Sequence, residues 1–186
     1  EQRAPGHTSL DGKIYERGLL DFKEEIQKKV TALDWLTDPE ALGKRDELVA
    51  MGISCDAAIR YSERHAELAE RLASAERDPG RRADLLRIAE VCRRVPARAP
   101  RDLHEALQMY WWVHLGTITE LNGWDSMNPG RLDQHLAPFY RSFTAAGGTR
   151  EQALELLECF WVKFNNHPAP PKVGVTAAES GTYNDF

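Results

Sequence analysis

From Asp38 to Arg77 the sequence keeps one helical period: Leu42, Leu48, Ile53, Ala57, Tyr61, Leu68 and Leu72 recur on one broad face. This predicts a long helix, with Asp38 as its N-cap, Pro39 at its first position and a bend near Gly52. The flanking segments read the same way. Ile14, Leu19, Leu20, Phe22, Ile26, Val30 and Leu33 predict an amphipathic helix over residues 13–33. Asp78-Pro79-Gly80 reads as a turn, and Leu85, Ile88, Ala89 and Cys92 form the inner face of a shorter helix over 81–95, ended by Pro96 and Pro100.

A different kind of helix is expected over 101–121. Leu103, Leu107, Tyr110, Trp111, Val113, Leu115 and Ile118 leave little purely polar surface, so this helix should be covered on several sides and lie centrally. Residues 122–128 lack periodicity. Pro129-Gly130 restarts a helix through Leu132, Leu136, Phe139, Tyr140 and Phe143, which Gly147-Gly148 ends. Thr149 and Gln152 form a capping box for a helix to about Phe164; Pro168, Pro170 and Pro171 then exclude regular helix ahead of the strand-like Val173-Gly174-Val175. The chain is therefore expected to be predominantly α-helical. Its non-initiator start, Glu1-Gln2-Arg3, and irregular polar end at Phe186 are expected of a piece of a longer protein.

The 24 basic and 29 acidic residues give a net charge of -5, against the basic excess that a nucleic-acid surface needs. Cys55, Cys92 and Cys159 are too widely spaced for a C-x-x-C unit and read as reduced thiols in a cytosolic setting, each at a helical position suited to a small buried hydrophobe. No apolar run approaches the roughly 20 residues that span a bilayer. None of the 6 histidines falls in a metal-ligand spacing, and neither phosphate-binding glycine motif occurs, so no metal is expected in this chain. The irregular stretches 122–126 and 180–186 mix aromatic, amide and carboxylate groups, as pocket loops do, although Trp124 could equally cap a core while Asp125 and Ser126 cap the following helix. Arg131 and Asp133 fit a solvated helix face, and His7 a structural hydrogen-bonding group.

Four segments together carry a resemblance: A-P-G-H at 4–7, E-L-N-G-W-D at 120–125, P-G-R-L-D-Q-H-L at 129–136 and E-S-G-T-Y-N-D-F at 179–186. They resemble the glycyl radical enzymes, in the pyruvate formate-lyase-like branch that holds choline trimethylamine-lyase, diol dehydratases and sulfonate lyases. Residues 1–186 would then be an internal portion of one such domain: helical wrapping and pocket loops of a ten-stranded α/β barrel. The family's catalytic cysteine and glutamate lie in a G-C-V-E-like loop and its radical glycine in an R-V-x-G-Y-like loop. Neither motif occurs here, so none of the three cysteines inherits the thiyl role, and this chain alone is expected to be inactive. The resemblance also implies a glycyl radical installed by a separate S-adenosylmethionine-dependent iron–sulfur activase, anaerobic life, a homodimer, and a cytoplasmic or microcompartment location.

Within the branch, F-N-N-H-P-A-P-P-K-V-G-V-T at 164–176 is most similar to isethionate sulfite-lyases. The implied reaction cleaves the carbon–sulfur bond of 2-hydroxyethanesulfonate: hydrogen is removed from the hydroxyl-bearing carbon, the hydroxyl is deprotonated, and sulfite is expelled to leave acetaldehyde. A sulfonate calls for arginine or amide donors in a water-poor cavity. By the resemblance Gln2 is the first substrate-binding candidate, just ahead of A-P-G-H, with Arg3 second and equally suited to a surface charge. Trp124 and Asp125 match the polyol-contacting positions of dehydratase relatives, where Trp124 would shrink and dry the pocket. Phe186, with Tyr183, would form an aromatic wall or equally pack in the core. A dihydroxypropanesulfonate lyase, a diol dehydratase and an arylacetate decarboxylase are the alternatives inside the family; a non-catalytic helical interaction module is the alternative outside it.

Overall fold

Helices occupy nearly all of residues 10–120 and 130–166, which are the residues that the structure, a computed structural model, describes. In chain order they are α1 Lys13–Glu16, α2 Leu19–Thr31, α3 Ala41–Ala75, α4 Pro79–Arg94, α5 Leu103–Glu120, α6 Leu132–Ala145 and α7 Arg150–Asn166. No strand occurs among the described residues; Val173–Val175 lies outside them. None of the described helices is long and apolar enough to cross a membrane. The chain divides into two compact units, residues 16–100 and residues 1–15 with 101–186.

In the unit of residues 16–100, α3 packs against α2 and α4. The expected single helix over 13–33 is instead two. Gly18 lies so close to the backbone of Ala97 and Arg98 that no side chain could fit, and the Leu19 and Leu20 amides donate to the carbonyls of Pro96 (2.8 Å) and Ala97 (3.0 Å). The first turn of α2 thus takes its hydrogen bonds from the 96–97 segment rather than from α1, while the Asp21 carboxylate accepts the Gly18 amide at 2.8 Å. Periodicity cannot reveal such a break, because its cause lies far along the chain.

The inner face of α3 also differs from expectation. Leu42, Ile53, Ala57, Tyr61, Leu68 and Leu72 are exposed, Ile53 by 63%, and only Leu48 of that predicted stripe is half-buried. The inward seam is half-buried at Leu48, Gly52, Cys55 and Ile59 and fully buried at the small residues Ser62, Ala66, Ala69 and Ala73, alternating spacings of four and three. Small side chains let the helix backbones approach closely, so geometry selects this seam over the bulkier one. α3 begins at Ala41 rather than Pro39; Asp38 caps the turn ahead of it, accepting the Glu40 amide at 2.9 Å and pairing with Lys44 at 2.8 Å. It then runs unbroken through Gly52.

The expected turn at 78–80 is the first turn of α4. Pro79 occupies the first helical position and the Asp78 carboxylate accepts the Arg81 amide at 2.7 Å, so Asp78 is the N-cap. Asp78→Ala should therefore lower the stability of this unit by about 1 kcal/mol, read as a shifted urea midpoint at unchanged slope. Arg93 of α4 grips Glu70 of α3 through two parallel bonds of 2.8 and 2.7 Å. Both partners are exposed, so this pair orients the helices more than it stabilises them.

In the other unit α5 packs against α6 and α7. The expectation of a central helix holds: Leu103, Ala106, Leu107, Met109, Tyr110, Trp111 and Trp112 are all buried. Its start is doubly fixed. Asp102 accepts the Glu105 amide at 2.9 Å, and the fully buried Glu105 carboxylate reaches back to the Arg101 amide (2.7 Å) and guanidinium (3.1 Å). The capping box of α7 forms as read, with Thr149 and Gln152 exchanging bonds of 2.9 and 3.2 Å. α6 ends at Ala145, and Gly147 just beyond it has a φ of 94°, in the left-handed region that glycine adopts without strain.

Candidate functional site

The central helix α5 carries buried rings that meet those of α7. His114, fully buried, lies 4.7 Å from the Phe164 ring, stacks on Trp111 at 5.4 Å and on Tyr110 at 5.7 Å. Phe164 closes edge-on against Phe160 (5.0 Å) and Trp111 (5.6 Å). Offset and edge-to-face arrangements of this kind suit the ring quadrupoles and leave a rigid, filled interior. Burial pushes the Tyr110 hydroxyl well above its usual range, so it stays a neutral phenol, with its oxygen 3.5 Å from His114 Nδ1. This cluster is a foundation for the central helix.

A second set of contacts joins α6 to the chain around α1. Tyr15, buried, stacks on His135 with ring centres 5.2 Å apart and an interplanar angle of 22°, and lies 6.1 Å from Phe139. His135 Nε2 is 3.6 Å from the Asp11 carboxylate. Burial raises the Tyr15 hydroxyl as it does that of Tyr110, and Tyr15 Oη has no hydrogen-bond partner among the described residues. Two consecutive non-glycine residues just ahead, Leu10 (φ 61°) and Asp11 (φ 48°), are left-handed.

The five substrate-binding candidates Gln2, Arg3, Trp124, Asp125 and Phe186, together with Tyr183 and His7, lie outside the described residues. What the structure describes is the frame from which they depart. Residues 1–9 run into α1, 121–129 join α5 to α6, and 167–186 follow α7. The sequence reading missed the Tyr15–His135 contact, and no local signal could have found it, because its partners are far apart along the chain.

The cysteines are distributed less uniformly than expected. Cys92 is buried and Cys55 half-buried, but Cys159 is exposed, on the side of α7 away from its buried Ala153, Phe160 and Phe164. Burial, and then the neighbouring Asp56 carboxylate, push the Cys55 thiol up, which disfavours the nucleophilic thiolate. No group of three or more potential metal ligands occurs among the described residues. A shallow depression of about 320 Å³ beside Tyr61, Arg64, His65 and Arg71 belongs wholly to α3. With every lining residue on one helix, it lacks the convergent walls of a substrate pocket.

Residues 1–186 match the pyruvate formate lyase-like family over their whole length. The chain is 54% identical over 187 residues to trans-4-hydroxy-L-proline dehydratase of Clostridioides difficile, covering 100% of this chain and 24% of that protein. It is 42% identical over 151 residues to isethionate sulfite-lyase of Oleidesulfovibrio alaskensis, covering 81% of this chain and 18% of the relative. Among solved structures, the Clostridioides difficile hydroxyproline dehydratase with trans-4-hydroxy-L-proline bound superposes with a TM-score of 0.90 at 53% identity, covering 100% of this chain and 24% of that one. A structure concerned with 1,2-propanediol dehydration in Roseburia inulinivorans gives a TM-score of 0.81 at 32% identity, covering 95% of this chain and 20% of that one. The chain thus spans about a quarter of the length of these relatives.

Proposed function

Because this chain belongs to the pyruvate formate lyase-like family, we propose that it is part of a glycyl radical eliminase whose substrate is trans-4-hydroxy-L-proline. The observation that carries the substrate is the 54% identity to a trans-4-hydroxy-L-proline dehydratase along the entire chain, every candidate pocket segment included. The sulfonate expectation of the sequence reading gives way to it, since the likeness to isethionate sulfite-lyase is lower and covers 81% of the chain.

Charge supports the same choice. Isethionate is a lone anion, which Gln2 and Arg3 would suit but the Asp125 carboxylate would repel. Hydroxyproline is a zwitterion. Its carboxylate would take donors from Arg3 and Gln2, its ring ammonium would pair with Asp125, and Trp124 and Phe186 would cover the apolar ring faces and exclude water. The residues of this chain would thus bind and orient. The glycyl radical, when installed, supplies hydrogen abstraction from substrate; the cysteine, glutamate and glycine of that chemistry would be carried by segments other than 1–186. The ten-stranded barrel, the activase, the homodimer and a cytoplasmic or microcompartment setting accompany this reading as further parts of it.

Isethionate cleavage is kept as the second reading on one observation, the 42% identity to isethionate sulfite-lyase over 81% of this chain. The two separate cleanly in an anaerobic assay of the full-length protein after activation. Consumption of trans-4-hydroxy-L-proline with loss of water is expected, and no sulfite from isethionate. Sulfite release without hydroxyproline consumption would replace the first reading by the second, and inactivity towards both would overturn the substrate assignment.

A further inference from the structure

We propose that the outer face of α3 is an interaction surface for the same face of a second copy of this chain, the two helices lying antiparallel about a two-fold axis level with Ile59. The inference gives the homodimer of the functional reading a surface, and it does not depend on the substrate.

The face is what α3 leaves uncovered. With Ser62, Ala66, Ala69 and Ala73 turned inward, the opposite side of the helix carries Ala50, Ile53, Ala57, Tyr61, Leu68 and Ala75, all exposed, with Asp46, Arg64 and Arg71 among them. These positions recur at spacings of three and four, the pattern of a helix-pairing seam. A helix of 35 residues, about 52 Å long, that is apolar on two opposite faces fits between two layers rather than at a surface.

Shape, size and charge on this face say what the second layer is. The depression of about 320 Å³ is bounded by Tyr61, Arg64, His65 and Leu68, the i, i+3, i+4, i+7 set that forms the hole for one knob of a facing helix. Ile53, exposed on the same face, is such a knob. In the antiparallel register Ile53 of one copy stands level with His65 of the other, over that hole. The same register sets Ala50 opposite Leu68 and Ala57 opposite Tyr61, so each large side chain meets a small one. It also brings Asp46 and Glu47 opposite Arg71, whereas parallel pairing would set Arg64 on Arg64 and Arg71 on Arg71. Asp46 is now held by its neighbour Arg45 at 2.6 Å, an exposed pair that a second partner can join. Every match occurs twice, as a two-fold interface requires. This self-complementarity has no cause if another part of the same polypeptide covers the face.

The test measures the mass of the full-length protein by sedimentation across a concentration series, without activation or substrate. Wild-type protein should be a dimer. Ile53→Asp should raise its dissociation constant at least about a hundredfold, because symmetry places the buried charge in the interface twice. Arg71→Glu should raise it about tenfold, and adding Asp46→Arg to that variant should return it to within about threefold of wild type. A wild-type monomer, or a dimer unchanged by both Ile53→Asp and Arg71→Glu, would overturn the proposal. Failure of the charge exchange to recover the dimer would overturn the antiparallel register. If Ile53→Asp does not fold, the face is covered within the chain, and an Arg71→Glu protein of wild-type mass would confirm that against the proposal. The substrate reading fails separately, since hydroxyproline consumption after activation is read on wild-type protein whatever its mass.

Discussion

Gly18→Ala is expected to remove a large share of the stability of the helical unit of residues 16–100. A Cβ at residue 18 would run into the carbonyl oxygen of Ala97 and the Cα and carbonyl carbon of Arg98. Backbone cannot rotate aside as a side-chain tip can. To admit the methyl group, the 97–98 segment would have to withdraw, taking with it the carbonyls that receive the Leu19 and Leu20 amides. Overpacking and two weakened hydrogen bonds together should cost about 3 kcal/mol or more, which is a large share of any small domain's stability. Urea denaturation followed by circular dichroism should show an early loss of helix. Gly52→Ala is the control: nothing lies within 4 Å of a Cβ there, inside a continuous helix, so this change should stabilise by about 0.5–1 kcal/mol. Equal and small effects at the two glycines would refute the close packing described for Gly18.

The second large effect is expected at Phe164, in the other unit. Its ring, 3% exposed, touches those of Tyr110, Trp111, His114, Phe160 and Trp161, so truncation opens a cavity bounded by rigid rings that cannot collapse into it. Phe164→Ala should cost about 3–5 kcal/mol. Trp161→Ala removes a larger ring whose residue is 49% exposed, and should cost only about 1–2 kcal/mol. The comparison is informative because the larger side chain gives the smaller effect. A loss at Trp161 equal to that at Phe164 would mean that Trp161 is covered in the full-length protein.

Much of this was legible in the sequence, and the parts that were share a property. The caps at Thr149 and Gln152, the breaks at Pro96 and Gly147, and the central character of α5 depend on residues within a few positions of one another, or on composition along one helix. The family was legible too, because short motifs at 4–7, 120–125 and 129–136 state it directly. The substrate was less so. A likeness in one segment favoured a sulfonate, whereas identity along the whole chain favours hydroxyproline.

What failed in the sequence reading failed for a physical reason. Hydrophobic periodicity says that α3 has an apolar stripe but not that helices pack more closely through its alanine and serine seam, which is a property of two surfaces together. Asp78 was assigned to a turn because Pro-Gly is a turn signal; proline at a first helical position with an aspartate cap fits the same residues.

The sequence by itself determined where helices form, which of them is central and which family the chain resembles, because each of these is written in local pattern or motif. Only the tertiary structure decided the break at Gly18, the buried seam of α3 and the meeting of Asp11, Tyr15 and His135. Each of those is a contact between residues distant in the chain, whose energy exists only once the intervening helices have packed.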